Sequence, residues 1–422
     1  MNSTADRLAQ RFAAELGDDS VAADPAQLVS HKVDGQLPAL LCRPTNEAQL
    51  SVALRLCAEH EATVIPWGGG TAIALGNAPR HMDVVISTER LARIIDHDHA
   101  NLTVSAESGV VLARLQGELA NEHQFAPLEA SFPDCATIGG IIAANLNGPR
   151  RSYYGSVRDL VIGIRVVLIG GEKIKAGGKV VKNVAGYDMC KLFVGSLGTL
   201  GIISAATVRL APLPESSATL VVSGSFDDAR QFANELGRTR LLPAAVILRV
   251  EGNHWQVAVR LEGFAETVAR SQREVRDIAD SLGVKVQVLR ADEQGAFWRF
   301  IEDFPLQTET LVFRVTLPRV ELFPSVQTFS RWENVTVVAD AIAGTAWLAA
   351  APTPTALQRF LELAAMARDR RGHAIIFSAP AELKRGVEVW GESPPTLSLM
   401  RGLKHQFDPK ELLNPGRFLG GL

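Results

Sequence analysis

The run Val64-Ile65-Pro66-Trp67-Gly68-Gly69-Gly70-Thr71-Ala72 places three consecutive glycines directly after an apolar strand-like segment. Glycine tolerates positive φ and carries no Cβ, so successive backbone N–H groups can converge on anionic oxygens, with the Thr71 hydroxyl as a further donor. The chemistry this would serve is the holding of a diphosphate, as in a nucleotide cofactor. The segment lacks the Lys-Ser/Thr pair of a P-loop and the G-x-G-x-x-G spacing of a dinucleotide-binding βαβ unit. On its own it fits a structural turn as well as a phosphate cradle.

A second glycine-rich element, Phe132-Pro133-Asp134-Cys135-Ala136-Thr137-Ile138-Gly139-Gly140-Ile141-Ile142-Ala143-Ala144-Asn145-Leu146-Asn147-Gly148, mixes small residues with hydroxyl and amide groups. It suits close backbone approach to a long, flat ligand, and alone it also fits a tightly packed apolar turn. Three more elements follow: Tyr154-Gly155-Ser156-Val157-Arg158-Asp159, Lys182-Asn183-Val184-Ala185-Gly186-Tyr187-Asp188, and Gly195-Ser196-Leu197-Gly198-Thr199-Leu200-Gly201-Ile202-Ile203.

Periodicity predicts the elements that must position them. Helical patterns cover 47–60 and 110–123, and strand patterns cover 62–66, 83–87 and 101–107, an α/β region. Residues 160–176 read as a hairpin turning at Gly170-Gly171, and a strand from Gly201 to Leu210 closes the region before Pro212 and Pro214 break it. Beyond, a strand-helix-strand-strand-helix-strand order over 218–289 recurs over 310–377, with a connecting helix near 292–303. Two ferredoxin-like halves sharing one antiparallel sheet are expected. Residues 7–16 form a short amphipathic helix, suited to packing on the core or on a partner.

Composition excludes several classes. The chain has 422 residues, 47% of them hydrophobic and 21% charged, enough for a large core in two or three domains. A net charge of -3 and the absence of a long basic run argue against nucleic-acid binding. Cys42, Cys57, Cys135 and Cys190 are widely spaced without C-x-x-C, so they read as reduced thiols rather than disulfide or cluster ligands. The polar N-terminus and the lack of a long apolar run predict neither a secretory signal nor a transmembrane segment.

Over roughly 38–214 these elements in this order resemble the FAD-binding domain of the vanillyl-alcohol oxidase and p-cresol methylhydroxylase (PCMH) superfamily. The tail Phe407-Asp408-Pro409-Lys410-Glu411-Leu412-Leu413-Asn414-Pro415-Gly416-Arg417 resembles that of its D-lactate and glycolate dehydrogenase branch, in which the tail returns to the flavin domain. The resemblance implies an α+β protein: an N-terminal helical segment (1–37), a two-subdomain PCMH-type FAD-binding domain (38–214), an α/β cap built on a ferredoxin-like antiparallel sheet (215–395), and the tail (396–422). It implies that Trp67, Gly68, Gly69, Gly70, Thr71 and Ala72 hold the FAD pyrophosphate, with a side chain at Gly69 intruding on diphosphate space. Pro133, Asp134, Thr137, Gly139, Gly140, Ala144 and Asn145 would line the cofactor towards the isoalloxazine, and Ile202 and Ile203 would meet its adenosine half.

Some members attach flavin through a histidine in the first loop or a cysteine in the second. Here Thr71 stands where that histidine would be, so FAD is expected to be non-covalent, and Cys135 is expected to be a small buried thiol. The departures are informative. Catalytic members of the branch carry an H-x-G-D-G-N-x-H metal motif, and none occurs among the nine histidines; Asp96-His97-Asp98-His99 reads as a solvated turn, so no metal site is expected. Leu197 replaces the usual glutamate of G-S-E-G-T-L-G.

A reduced cap with intact flavin loops is similar to the E-type subunits of three-part bacterial glycolate oxidases. That implies a cytoplasmic protein, or one held peripherally at the inner membrane through its complex, whose partners are a larger FAD-binding hydroxyacid dehydrogenase subunit and an iron–sulfur subunit. The complex would oxidise glycolate, and also D-lactate, to the 2-oxo acid. Oxidation needs a carboxylate anchor and a base. The candidates are Arg249, Glu251, His254 and Arg314 on cap strands, with Trp298 and Arg299 on the connecting helix, each more simply read as a sheet or cap-surface residue, and Lys182 and Tyr187 in a loop that the resemblance places near the edge of the flavin domain. A non-catalytic relay or assembly subunit is the other reading.

Overall fold

The computed structural model describes residues 4–178, 188–306, 310–353 and 355–422, so Lys182 and Tyr187 lie outside the described residues. The chain divides into two units, one comprising Met1–Leu146, Ser156–Ala211 and Lys384–Leu422, the other Asn147–Gly155 and Pro212–Leu383.

The first unit holds two sheets. In the smaller, strands Leu40–Cys42, Val84–Ser87 and Val64–Trp67 run parallel, with Val21–Ala22 added antiparallel to Leu40–Cys42. Helix Glu47–Glu59 makes the crossover between Leu40–Cys42 and Val64–Trp67, and Asn46 caps it by accepting from the Gln49 N–H at 3.0 Å. Leu8, Phe12 and Leu16 of the N-terminal helix Thr4–Leu16 pack with Leu50, Leu54 and Cys57 of that crossover helix. The amphipathic N-terminal helix is therefore part of the core.

The larger sheet is antiparallel, in the order Ile94–Asp98, Thr103–Glu107, Ile202–Arg209, Val161–Val167, Lys173–Gly177. It contains the expected hairpin. It also corrects the reading of Asp96-His97-Asp98-His99, because Asp96, His97 and Asp98 belong to an edge strand, with Leu102 at φ 53 in the following turn. An edge strand with one solvated side looks locally like a polar turn. His97 Nε2 is 3.0 Å from Gln124 Oε1.

The second unit is an eight-stranded antiparallel sheet, ordered Val286–Val288, Ser216–Gly224, His254–Gly263, Ala245–Glu251, Val335–Asp340, Thr345–Ala350, Leu311–Thr316, His373–Ser378. The two repeats thus share one sheet. Helices Phe226–Arg238, Ala265–Ser281, Arg319–Phe329 and Ala356–Asp369 supply apolar faces. Phe360 stacks on Phe313 with centroids 6.0 Å apart, which fixes Phe313 towards the helix side and leaves its neighbour Arg314 on the opposite face.

Candidate functional site

Within the first unit, the loop after Val64–Trp67 and the start of helix Ile138–Ala144 approach one another closely. A Cβ on Gly69 would overlap the Cys135 carbonyl, and one on Gly68 would overlap the Thr137 hydroxyl. Gly139 packs likewise on Ser108, where an added Cβ would come 2.5 Å from the Ser108 Cβ. These glycines are needed first for loop-on-loop packing. That corrects the expectation for Gly69, whose missing side chain makes room for protein backbone. Gly70 has φ +72, which an L side chain rarely adopts.

The result is an open cleft between the two loops. Trp67, Gly68, Gly69, Gly70, Thr71 and Ala72 line one wall, and Thr137, Gly139, Gly140 and Ala144 line another. Ile202 and Ile203 close it from the larger sheet. Three of the expected residues, Pro133, Asp134 and Asn145, are not in this lining. Asn145 instead ends helix Ile138–Ala144 in the left-handed conformation, φ 49 and ψ 48. Cys135 is exposed, not the buried thiol expected, because its backbone faces Gly69 while its side chain turns to solvent.

The sequence brings the tail back to the flavin domain and marks Leu197 as a departure, but it does not single out Thr88, Ser108, Leu197, Asn414 or Arg417 as lining residues. The Trp67 carbonyl accepts from the Thr88 N–H at 2.8 Å, and the His31 ring lies 4.8 Å from the Trp67 ring. Burial pushes the His31 pKa below its usual value, so it is neutral at pH 7. Leu197, where a glutamate was expected, has φ 52, and its carbonyl accepts from Asn414 Nδ2 at 2.5 Å. Strand pairing draws the tail in, since the Val64 N–H donates to the Leu412 carbonyl at 2.8 Å and the Asn414 N–H to the Val64 carbonyl at 2.7 Å.

Three buried polar atoms in this lining have no partner: Ser108 Oγ, Asn414 Oδ1 and Arg417 Nε. Leaving a buried donor or acceptor unmade costs about 1–3 kcal/mol each, so their gathering at one cleft marks a place for a polar ligand. A long ligand with phosphates, hydroxyls and ring N–H groups fits a cationic donor, an amide acceptor and a hydroxyl set between glycine loops.

The other expected residues fall in the second unit. Arg249 pairs with Glu251 at 2.7 Å and lies over the Phe300 ring, 4.6 Å from its centroid. His254 sits opposite Glu251 in register, at the exposed end of the hairpin. Arg314 lies on the far side of Val338 and Trp347 from Arg249 in the cross-sheet row. Its guanidinium rests over Phe377 at 5.3 Å, and burial, reinforced by the like charge of Arg151, pushes its pKa down to about 10. Trp298 is spoken for: its Nε1 donates to Thr219 Oγ1 at 2.8 Å, and it is buried. Among the described residues no group of three or more His, Cys, Asp or Glu gathers in a metal-binding arrangement. No helix among them is long and apolar enough to cross a membrane.

A protein-family profile described as "FAD binding domain" matches residues 38–177. The chain is 30% identical to glycolate oxidase subunit GlcE of Escherichia coli (strain K12) over 342 residues, covering 78% of this chain and 85% of that one. It is 29% identical to glycolate oxidase subunit GlcD of Bacillus subtilis (strain 168), covering 90% and 89%. Among solved structures, p-cresol methylhydroxylase with substrate bound superposes with a TM-score of 0.74 at 16% identity, covering 99% of this chain and 97% of that one.

Proposed function

Given that this chain belongs to the family of FAD-binding glycolate oxidase subunits, we propose that it holds FAD non-covalently and works within a multi-subunit enzyme oxidising glycolate, and also D-lactate, to the 2-oxo acid. The observation that carries the flavin part is the cleft with its three unpartnered buried polar atoms. The proposed partners are a larger FAD-binding hydroxyacid dehydrogenase subunit and an iron–sulfur subunit that takes the electrons onward, in the cytoplasm or peripherally at the inner membrane.

Bound FAD supplies the acceptor for the hydride that leaves the α-carbon of the hydroxy acid. The chain's own contribution to substrate binding is assigned to Arg314. It remains protonated at neutral pH, has no carboxylate partner among the described residues, and is half-buried. Trp347, directly opposite Arg314 in the adjacent strand, has a buried Nε1 without a partner. A carboxylate received there would meet a cation and a second donor together. Arg249, Glu251 and His254 are less suited, because Arg249 already has Glu251 as its counter-ion.

A second reading, relay or assembly without substrate chemistry, is favoured by the histidine distribution, which contains no H-x-G-D-G-N-x-H run. Anaerobic addition of glycolate to the assembled complex and to this chain alone tests both. Bleaching of the flavin absorbance in the isolated chain supports chemistry on this subunit. Bleaching only in the complex supports the relay reading, and no bleaching in either contradicts glycolate as substrate.

A further inference from the structure

Behind the glycine loop lies a buried ionic cluster drawn from three parts of the chain. Asp34 Oδ1 accepts from Lys384 Nζ at 2.8 Å, and Asp34 Oδ2 accepts from Arg417 Nη1 at 3.0 Å. Their side chains are 5%, 1% and 3% exposed. Lys384 Nζ also donates to the Ala74 carbonyl, and Arg417 Nη2 donates to the carbonyls of Ile73 and, at 2.6 Å, Leu75. The two cations therefore grip the loop that continues from the glycine triplet.

The cluster is unbalanced. One carboxylate faces two cations, and burying an uncompensated charge is costly unless something neutralises it. The imbalance is also directional, since Arg417 lines the cleft with its buried Nε unpartnered, whereas Lys384 does not line it. A donor left open on a surplus cation calls for an anion in the cleft.

We infer that Arg417, from the C-terminal tail, is a cofactor ligand: its Nε–H donates to a phosphate oxygen of the dinucleotide, while its Nη atoms hold loop 73–75 and Asp34. This rests on FAD as the ligand of the cleft and deepens that reading by placing a tail residue on the diphosphate. Asn414 Oδ1, in the same turn of the tail, is the matching acceptor for a ligand hydroxyl or ring N–H.

The test is FAD titration of the deflavinated full-length chain by calorimetry at low and raised sodium chloride, with the flavin-free melting temperature measured alongside. R417Q leaves the Lys384–Asp34 pair intact, and K384M leaves the Arg417–Asp34 pair intact. R417Q should bind FAD roughly tenfold or more weakly, the scale of one charge-assisted hydrogen bond, with a shallower loss of affinity on adding salt. K384M should keep the wild-type salt dependence even where its melting temperature falls. Wild-type affinity in R417Q, or weakened binding with unchanged salt dependence, would overturn the inference and leave Arg417 as a brace. If R417Q does not fold, R417K decides: weaker binding with the wild-type salt dependence supports the Nε contact, and full affinity overturns it. Wild-type protein that binds no FAD would overturn the flavin reading itself, and this inference with it.

Discussion

Gly69 and Cys135 meet backbone to backbone, so closely that a methyl group on Gly69 would overlap the Cys135 carbonyl oxygen. The cleft exists because two glycine-rich loops can touch, and its polar lining is then completed by residues remote in sequence.

The substitution G69A should therefore separate the loops, costing about 1–3 kcal/mol as an overpacked contact and releasing flavin. The ratio of visible flavin absorbance to protein absorbance, read with the melting temperature, checks this. Gly117 is the control, because it lies inside helix Leu112–Ala120 with open space around its Cβ position. G117A should keep its flavin and gain about 0.5–1 kcal/mol.

In the second unit, Glu262 accepts from Tyr154 Oη at 2.7 Å and pairs with Arg260 at 2.6 Å and Arg150 at 3.2 Å, its side chain 1% exposed. E262A would remove the carboxylate shared by three groups and should cost about 3 kcal/mol, the low end for breaking a buried ion pair because Arg150 and Arg260 are only partly buried. Y154F, which removes one hydrogen bond, should cost about 1 kcal/mol. Urea unfolding measures both, and equal effects would contradict the central position of Glu262.

These contacts mark where the sequence stops being legible. The glycine loops, the hairpin and the repeated cap pattern are local signals, readable from spacing alone. That Asn147–Gly155 joins the second unit depends on Arg150 and Tyr154 reaching Glu262, a long-range pairing no local window carries. The roles of Ser108, Asn414 and Arg417 at the cleft are illegible for the same reason, since each is an ordinary polar residue until the fold gathers them. Cys135 departs from expectation because burial of a small thiol is the common case, whereas here the backbone takes the inner position.

Thiol chemistry should report this. Cys42, Cys57 and Cys190 are buried and Cys135 is exposed, so one thiol per native chain should react with an aromatic disulfide and four after denaturation. Burial pushes Cys190 from an ordinary 9.0 up to about 11. The unfolded chain loses that proton first, so the stability it contributes is full below about pH 9 and is lost as pH rises through about 11. Melting temperature followed across that window should fall less steeply in C190A than in wild type.

For Arg314, the variant R314M should raise KM for glycolate about 10- to 100-fold, equivalent to roughly 1.4–2.8 kcal/mol, with flavin content unchanged. Steady-state kinetics on the assembled enzyme, alongside the flavin absorbance ratio, measures it. An unchanged KM would remove Arg314 from substrate binding.

FAD held by this chain without a covalent bond would be released when the protein is denatured. Acid precipitation of the purified chain, with the supernatant flavin identified and counted against protein, tests it most directly. FAD should appear in the supernatant at about one per chain, the loading of a single site. A chain that stays colourless after incubation with FAD, or flavin that remains in the precipitate, would contradict it.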